Sequence, residues 1–183
     1  MASNYEAICA ENRQRYGTDI GRIGPMLLAD RYDDRTHFIF ELLQNAEDAL
    51  NRRGEWKGQR HVSFTLEPGK LTLSHFGRPF DDADVRGICG IAQSTKDQFS
   101  IGRFGIGFKS VYTFTDRPEI HSGDEEFAVE NYVSPVGVPQ ASRHPDETLI
   151  ALPLKDGDRT AVQEIVDGFK RLGPGALLFL RQI

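Results

Sequence analysis

Phe38-Ile39-Phe40-Glu41-Leu42-Leu43-Gln44-Asn45-Ala46-Glu47-Asp48-Ala49-Leu50 is the stretch on which the fold turns. It holds no Gly or Pro, consists of good helix formers, and follows Asp33, Asp34 and Thr36, whose side-chain oxygens suit an N-cap. The spacing predicts a helix. At 100° per residue Glu41, Asn45 and Asp48 fall within an arc of about 60°, beside an apolar stripe of Ile39, Leu42, Leu43, Ala46 and Leu50. A carboxylate and an amide one turn apart suit a metal–phosphate site, because Mg²⁺ takes oxygen ligands, keeps several waters and borrows few protein groups. The same stripe equally describes the solvated face of an ordinary amphipathic helix. His37, one turn before Glu41, reads either as a surface histidine or as a partner for that carboxylate.

Outward from this helix, Tyr5–Tyr16 reads as a first, lead-in helix ended by Gly17. Residues 61–67 and 71–74 alternate around Pro68-Gly69 as a β-hairpin, and residues 82–91 form a short amphipathic helix. A further helix is expected to open within a glycine loop and run through Phe108 to Tyr112. Strands are expected at residues 119–121, 126–132 and 148–154. The last helix covers residues 161–172, with Val162, Ile165, Val166 and Phe169 on its apolar side. The apolar run at 176–180 calls for a cover, and with it the expectation that residues 1–183, a single domain, are the N-terminal fragment of a longer protein.

The glycine loop is Gly102-Arg103-Phe104-Gly105-Ile106-Gly107-Phe108-Lys109-Ser110. Glycines at the mouth of a helix let backbone N–H groups approach phosphate oxygens, and Lys96, Arg103 and Lys109 could add charge. The order is neither that of a P-loop nor that of a Rossmann fingerprint. Alone, such a loop is as often a turn or a close-packing device.

Composition narrows the remaining classes. A chain of 183 residues that is 39% hydrophobic can bury a core, and a net charge of −5 offers no general attraction to nucleic acid or anionic lipid. Cys9 and Cys89 lack zinc-motif spacing and read as reduced, buried thiols. No signal-peptide pattern or apolar run of membrane length occurs, so a cytoplasmic protein is expected.

In order and spacing, the strings Glu-Leu-Leu-Gln-Asn-Ala-Glu-Asp-Ala at 41–49 and Ile-Gly-Arg-Phe-Gly-Ile-Gly-Phe-Lys-Ser at 101–110 resemble two motifs of the GHKL superfamily. That superfamily unites gyrase B, the ninety-kilodalton heat-shock chaperones, histidine kinases and MutL proteins. Within it the chain is most similar to the chaperone branch and to the N-terminal ATP-binding modules of sacsin and related large proteins. The resemblance implies an α+β Bergerat fold: a two-layer α/β sandwich with a mixed, mostly antiparallel sheet and helices on one face. It implies ATP and Mg²⁺ as cofactors, with Glu41 as general base, Asn45 as Mg²⁺ ligand and Asp48 positioning the nucleotide. Gly102, Gly105 and Gly107 would bind phosphates through their amides, with Arg103, Phe104, Ile106, Phe108 and Lys109 in the same loop. Ser94, Thr95 and Lys96 would lie in a lid over residues 93–100. His75, Gly77, Phe80 and Thr148 would line the base end.

His75 stands where most family members place an aspartate that accepts a hydrogen bond from the adenine amino group, and Pro79 replaces a second glycine of that turn. The imidazole either reads the base, with some pH dependence, or caps the strand end. The implied activity is slow ATP hydrolysis driving conformational change in a larger chaperone-like or defence protein. A Lys or Arg from a following domain would reach the γ-phosphate. The other functional class is a non-hydrolysing, nucleotide-gated scaffold; a histidine kinase is disfavoured because no phosphoacceptor helix precedes the domain. Implied partners are ATP and ADP, downstream domains of the parent chain and an ATP-dependent homodimer, with neither membrane nor nucleic acid.

Overall fold

A computed structural model describes residues 1–17, 34–91, 107–155, 160–173, 178 and 180–183. Four α-helices are present among them: α1 (Tyr5–Tyr16), α2 (Phe38–Arg52), α3 (Asp82–Cys89) and α4 (Ala161–Arg171). The six strands are β1 (Val62–Glu67), β2 (Lys70–His75), β3 (Glu119–Ser122), β4 (Glu125–Glu130), β5 (Ser134–Gly137) and β6 (Thr148–Pro153). They form one sheet in the order β1-β2-β6-β3-β4-β5, every neighbouring pair antiparallel.

Local chemistry accounts for most element ends. Asn4 caps α1, its side-chain oxygen accepting from the Ala7 N–H at 3.0 Å. Asp34 accepts from the Thr36 N–H at 2.8 Å and opens the 3₁₀ turn Arg35–His37 that leads into α2. Asp81 and Asp84 form a reciprocal capping box on α3. In the β1–β2 hairpin Glu67 pairs with Lys70, and the intervening Gly69 takes φ 81°, open to glycine after a proline-fixed first corner.

Residues directly opposite in an antiparallel sheet share a face. One face here is therefore a grid with one rank of Leu71 and Leu152, one of Leu73, Ile150, Ile120 and Phe127, and one of His75, Thr148, Ser122 and Glu125. All are buried. The apolar ranks join Phe38 and Leu42 of α2 and Val85 and Ile88 of α3 in one core. Tyr5 of α1 reaches Phe127 with ring centroids 5.4 Å apart, and Phe169 of α4 meets Phe64 of β1 at 4.9 Å. Phe64 lies opposite Leu73, so all four helices serve the same face. This is the two-layer α+β sandwich expected. The reverse face carries Thr72, Ser74, Glu119 and Glu126, with Arg143 and His121 both bound to Glu126.

Four local expectations need correction. β5 has no counterpart in the sequence reading, because Pro135 and Gly137 break the strand signal; the sheet admits it at an edge, where a missing N–H is tolerated. Tyr132, assigned to a strand, sits in the β4–β5 turn with φ 69°, its ring 4.3 Å from that of Tyr112. Val162 is 42% exposed while Ala161, Ile165 and Gly168 are buried, so the apolar side of α4 is rotated from the one expected. α1 is no lead-in: Ile8 is buried, Asn12 donates to Cys89 O and Val133 O, and Tyr5 donates to Glu125 at 2.7 Å. Both cysteines are free thiols, Cys89 buried and Cys9 only half-buried.

At the other end of the described chain, Glu47 on α2 accepts from the backbone N–H groups of Arg181 and Gln182. Leu178, within the apolar run, is 80% exposed. Among the described residues no helix is long and apolar enough to cross a membrane.

Candidate functional site

Glu41, Asn45 and Asp48 share one side of α2, whose C-terminal end packs on the turn after β2. His37 Nε2 and Glu41 Oε1 are 3.0 Å apart, so the histidine orients the carboxylate from one turn below. On its other side the carboxylate meets Gly107, where an added Cβ would lie 1.9 Å from Glu41 Oε2. The glycine is required there by close approach and not by its backbone, which is helical at φ −60°.

Asn45, one turn on, is 8% exposed, and its Nδ2 has no hydrogen-bond partner among the described residues. An unsatisfied buried amide is costly in a finished fold, so its capacity is available to something the chain binds. Burial holds the Asp48 carboxyl above its ordinary range, with Arg52 pulling in the opposite direction. Glu41, Asn45 and Asp48 are thus brought to one side of one helix, as their spacing required.

The other end of α2 is bolted to the turn after β2. Arg78 N–H donates to Ala49 O at 2.8 Å, and a Cβ on Gly77 would lie 2.5 Å from Ala49 Cβ. Arg53, its side chain 12% exposed, donates to the carbonyls of Phe76, Gly77 and Asp146, pairs with the Asp146 carboxylate and lies 3.5 Å over the Trp56 ring. Asp84 joins Arg52 at 3.0 Å and Arg78 at 2.9 Å, tying α2, the turn and α3 together. Arg53→Ala is expected to lower stability by about 3 kcal/mol, since three part-buried carbonyls and a carboxylate lose one shared donor. A loss below about 1 kcal/mol in urea unfolding would mean that water replaces the guanidinium without penalty.

His75 ends β2 and is 1% exposed. Its Nδ1 accepts from the Gly77 N–H at 3.0 Å, and burial, aided by Arg53, pushes its pKa down to about 4. The ring is neutral near pH 7, so the expected pH dependence moves out of the physiological range. Thr148 lies opposite His75, and its hydroxyl is 2.5 Å from that of Ser122, which accepts from the Phe80 N–H at 3.0 Å. Gly77, Phe80 and Thr148 therefore do converge on this end of the sheet. Ser122 has no sequence signal; only the pairing of β3 with β6 brings it there.

Two residues expected to touch a nucleotide turn away. The Phe108 side chain is fully buried in the core. Lys109 donates from Nζ to the carbonyls of Ile88 and Tyr132, and burial lowers its pKa to about 8. Ile88 O belongs to the last turn of α3, where a cation complements the helix dipole. The cause is local: Phe108–Thr113 is a 3₁₀ segment, not an α-helix, and its side chains from Phe108 to Tyr112 are buried. Ser94, Thr95, Lys96, Gly102, Arg103, Phe104, Gly105 and Ile106 lie outside the described residues.

With Glu41 held between a histidine and a glycine, the site has a carboxylate placed to orient a water, and Asn45 one turn on has an Nδ2 donor without a partner among the described residues and a side-chain oxygen of the type that a hard cation takes. The Sacsin domain family matches residues 72–131, from inside β2 to the turn after β4. Protein NO VEIN of Arabidopsis thaliana is 32% identical over 93% of this chain, and human Sacsin is 33% identical over 76%. Chaperone protein HtpG of Aliarcobacter butzleri is 26% identical over 62% of it. The chain spans 7%, 3% and 23% of the lengths of these three relatives, respectively. The matched segment, the relatives and a sheet whose described helices lie on one face are together consistent with a sacsin-like module of the GHKL superfamily.

Proposed function

We propose that the chain binds ATP with Mg²⁺ and hydrolyses it, as a chaperone-like module of a longer protein. The observation that carries this reading is the Glu41 carboxylate, oriented by His37 and closely approached by Gly107, one turn before an Asn45 side chain whose buried Nδ2 has no hydrogen-bond partner among the described residues. Resemblance to sacsin and HtpG supports the nucleotide class. In this reading the Asn45 side-chain oxygen would hold the metal, which when bound would spread the charge of the phosphates. Glu41 takes the proton of the attacking water, and His37 holds the carboxylate in register for that task. Gly107 contributes the space in which the carboxylate sits. Residues 93–100, including Ser94, Thr95 and Lys96, close over the nucleotide, and the phosphates rest on the amides of the 102–107 loop. Closure then biases the arrangement of neighbouring domains, or of a second copy.

Isothermal titration with ATP, with and without Mg²⁺, tests the binding. A Mg²⁺-dependent Kd is expected for the wild type. Asn45→Ala is expected to weaken it at least tenfold, since about 1.4 kcal/mol corresponds to each factor of ten. No heat of binding for the wild type under either condition sinks the proposal.

A further inference from the structure

A pocket that reads the 6-position of a purine does so with a donor or an acceptor. Adenine presents an amino group there, a donor. Hypoxanthine and guanine present a carbonyl oxygen, an acceptor. A protein group of the wrong polarity leaves an unpaired polar atom on each side of the contact.

The polarity at the end of β2 is set by one backbone bond. Gly77 N–H donates to His75 Nδ1 at 3.0 Å. A neutral imidazole that accepts at Nδ1 carries its proton on Nε2, so the ring nitrogen left for a ligand is a donor. Burial keeps the ring neutral, with a pKa of about 4. The turn cannot easily slide to release Nδ1. Gly77 is packed against Ala49, Arg78 N–H is bonded to Ala49 O, and Arg53 holds the carbonyls of Phe76 and Gly77.

Among the described residues of the same rank and of the adjoining loop, the side chains do not restore a fixed acceptor. Thr148 and Ser122, next in the same rank, carry hydroxyls that share one hydrogen bond and serve either polarity. Glu125, the end of the rank, is turned to Ser3 and Tyr5, and Asp146 is paired with Arg53.

We infer that the base subsite takes a 6-oxopurine nucleoside triphosphate at least as well as ATP, with His75 Nε2–H as the specificity-determining group. The inference rests on the nucleotide-binding reading above, and refines it from ATP to the wider class of purine triphosphates selected by a donor.

ITP and ATP share the ribose, the triphosphate and the 2-position, and differ at the 6-position and the adjoining N1. Their Kd values for the 183-residue chain in one Mg²⁺ buffer therefore read this contact. ITP is expected to bind as tightly as ATP, within a factor of two, or more tightly. His75→Asp retains an acceptor for the Gly77 N–H and replaces the remaining donor by an acceptor; it is expected to shift the ratio towards ATP by tenfold or more. His75→Asn keeps both an acceptor and a donor, and is expected to keep the wild-type order of affinities.

If the aspartate variant fails to fold by circular dichroism, the wild-type ratio and His75→Asn still decide. Ring ¹⁵N shifts of His75 give an independent readout, expected to show protonated Nε2. ATP bound more than twofold tighter than ITP by the wild type, or a proton on Nδ1, overturns the inference and leaves nucleotide binding standing. Absence of binding to both nucleotides overturns the binding reading and this inference with it.

Discussion

Gly107→Ala is expected to cut ATP turnover by roughly 10²-fold while the chain stays folded. The backbone at 107 has φ −60° and ψ −45°, which alanine adopts without strain, so the substitution tests one contact only. The new Cβ would stand 1.9 Å from Glu41 Oε2 and 2.7 Å from its Cδ. Both atoms belong to the far end of a flexible side chain, so the carboxylate swings away and the helix keeps its place. It thereby leaves His37, which holds its other oxygen at 3.0 Å. A misplacement of about 1 Å at a reacting group is worth about two powers of ten in rate, and loss of a general base altogether about 10²–10⁴. Glu41→Ala should therefore show the same phenotype, more deeply: ATP still binds and phosphate release is lost. Phosphate release and urea midpoints measured on the two variants check the argument. Gly107→Ala that keeps turnover within threefold of wild type, beside an inactive Glu41→Ala, would show that the carboxylate does not need this position.

Acidification from pH 6.5 to pH 4 is expected to remove about 3 kcal/mol of folding stability through His75 alone. The folded pKa, about 4, lies below the value of 6.5 for the unfolded chain. Between those limits the unfolded state holds the proton and the folded state does not, so stability falls as pH is lowered. Above pH 6.5 the group has no effect, and below pH 4 the loss is complete. The cause is burial, which denies the imidazolium its hydration, with the Arg53 guanidinium adding repulsion. Urea unfolding at pH 7, 5.5 and 4.5 should show a steeper decline for the wild type than for His75→Asn, which does not titrate. Parallel declines would assign the acid sensitivity to other groups.

These expectations draw on two kinds of information. α2 is legible in residues 38–50 because amphipathic spacing and propensity are local, and the structure extends it only to Arg52. The β1–β2 hairpin is legible for the same reason, through alternation around Pro68-Gly69. The site is less so. His37 could be read from its spacing to Glu41, but only the bond to Oε1 makes it an orienting group. Lys109 has the charge of a phosphate ligand and the position of a core residue, and packing decides for the core because α3 ends at its ammonium. Pro135 hides β5, since strand propensity describes a central strand and this one is an edge.

The sequence by itself determined that Glu41, Asn45 and Asp48 share one side of a helix, because helix geometry places residues three and four apart together wherever the helix goes. Only the tertiary structure decided what surrounds the Glu41 carboxylate and what meets at the end of β2. Insertion of β6 between β2 and β3 sets Thr148 against both His75 and Ser122, and packing of the turn on Ala49 hands the Gly77 N–H to His75 Nδ1. Strand register and burial depend on partners far apart in sequence. The polarity of His75 and the placement of the Glu41 carboxylate therefore belong to the folded chain and not to any one segment of it.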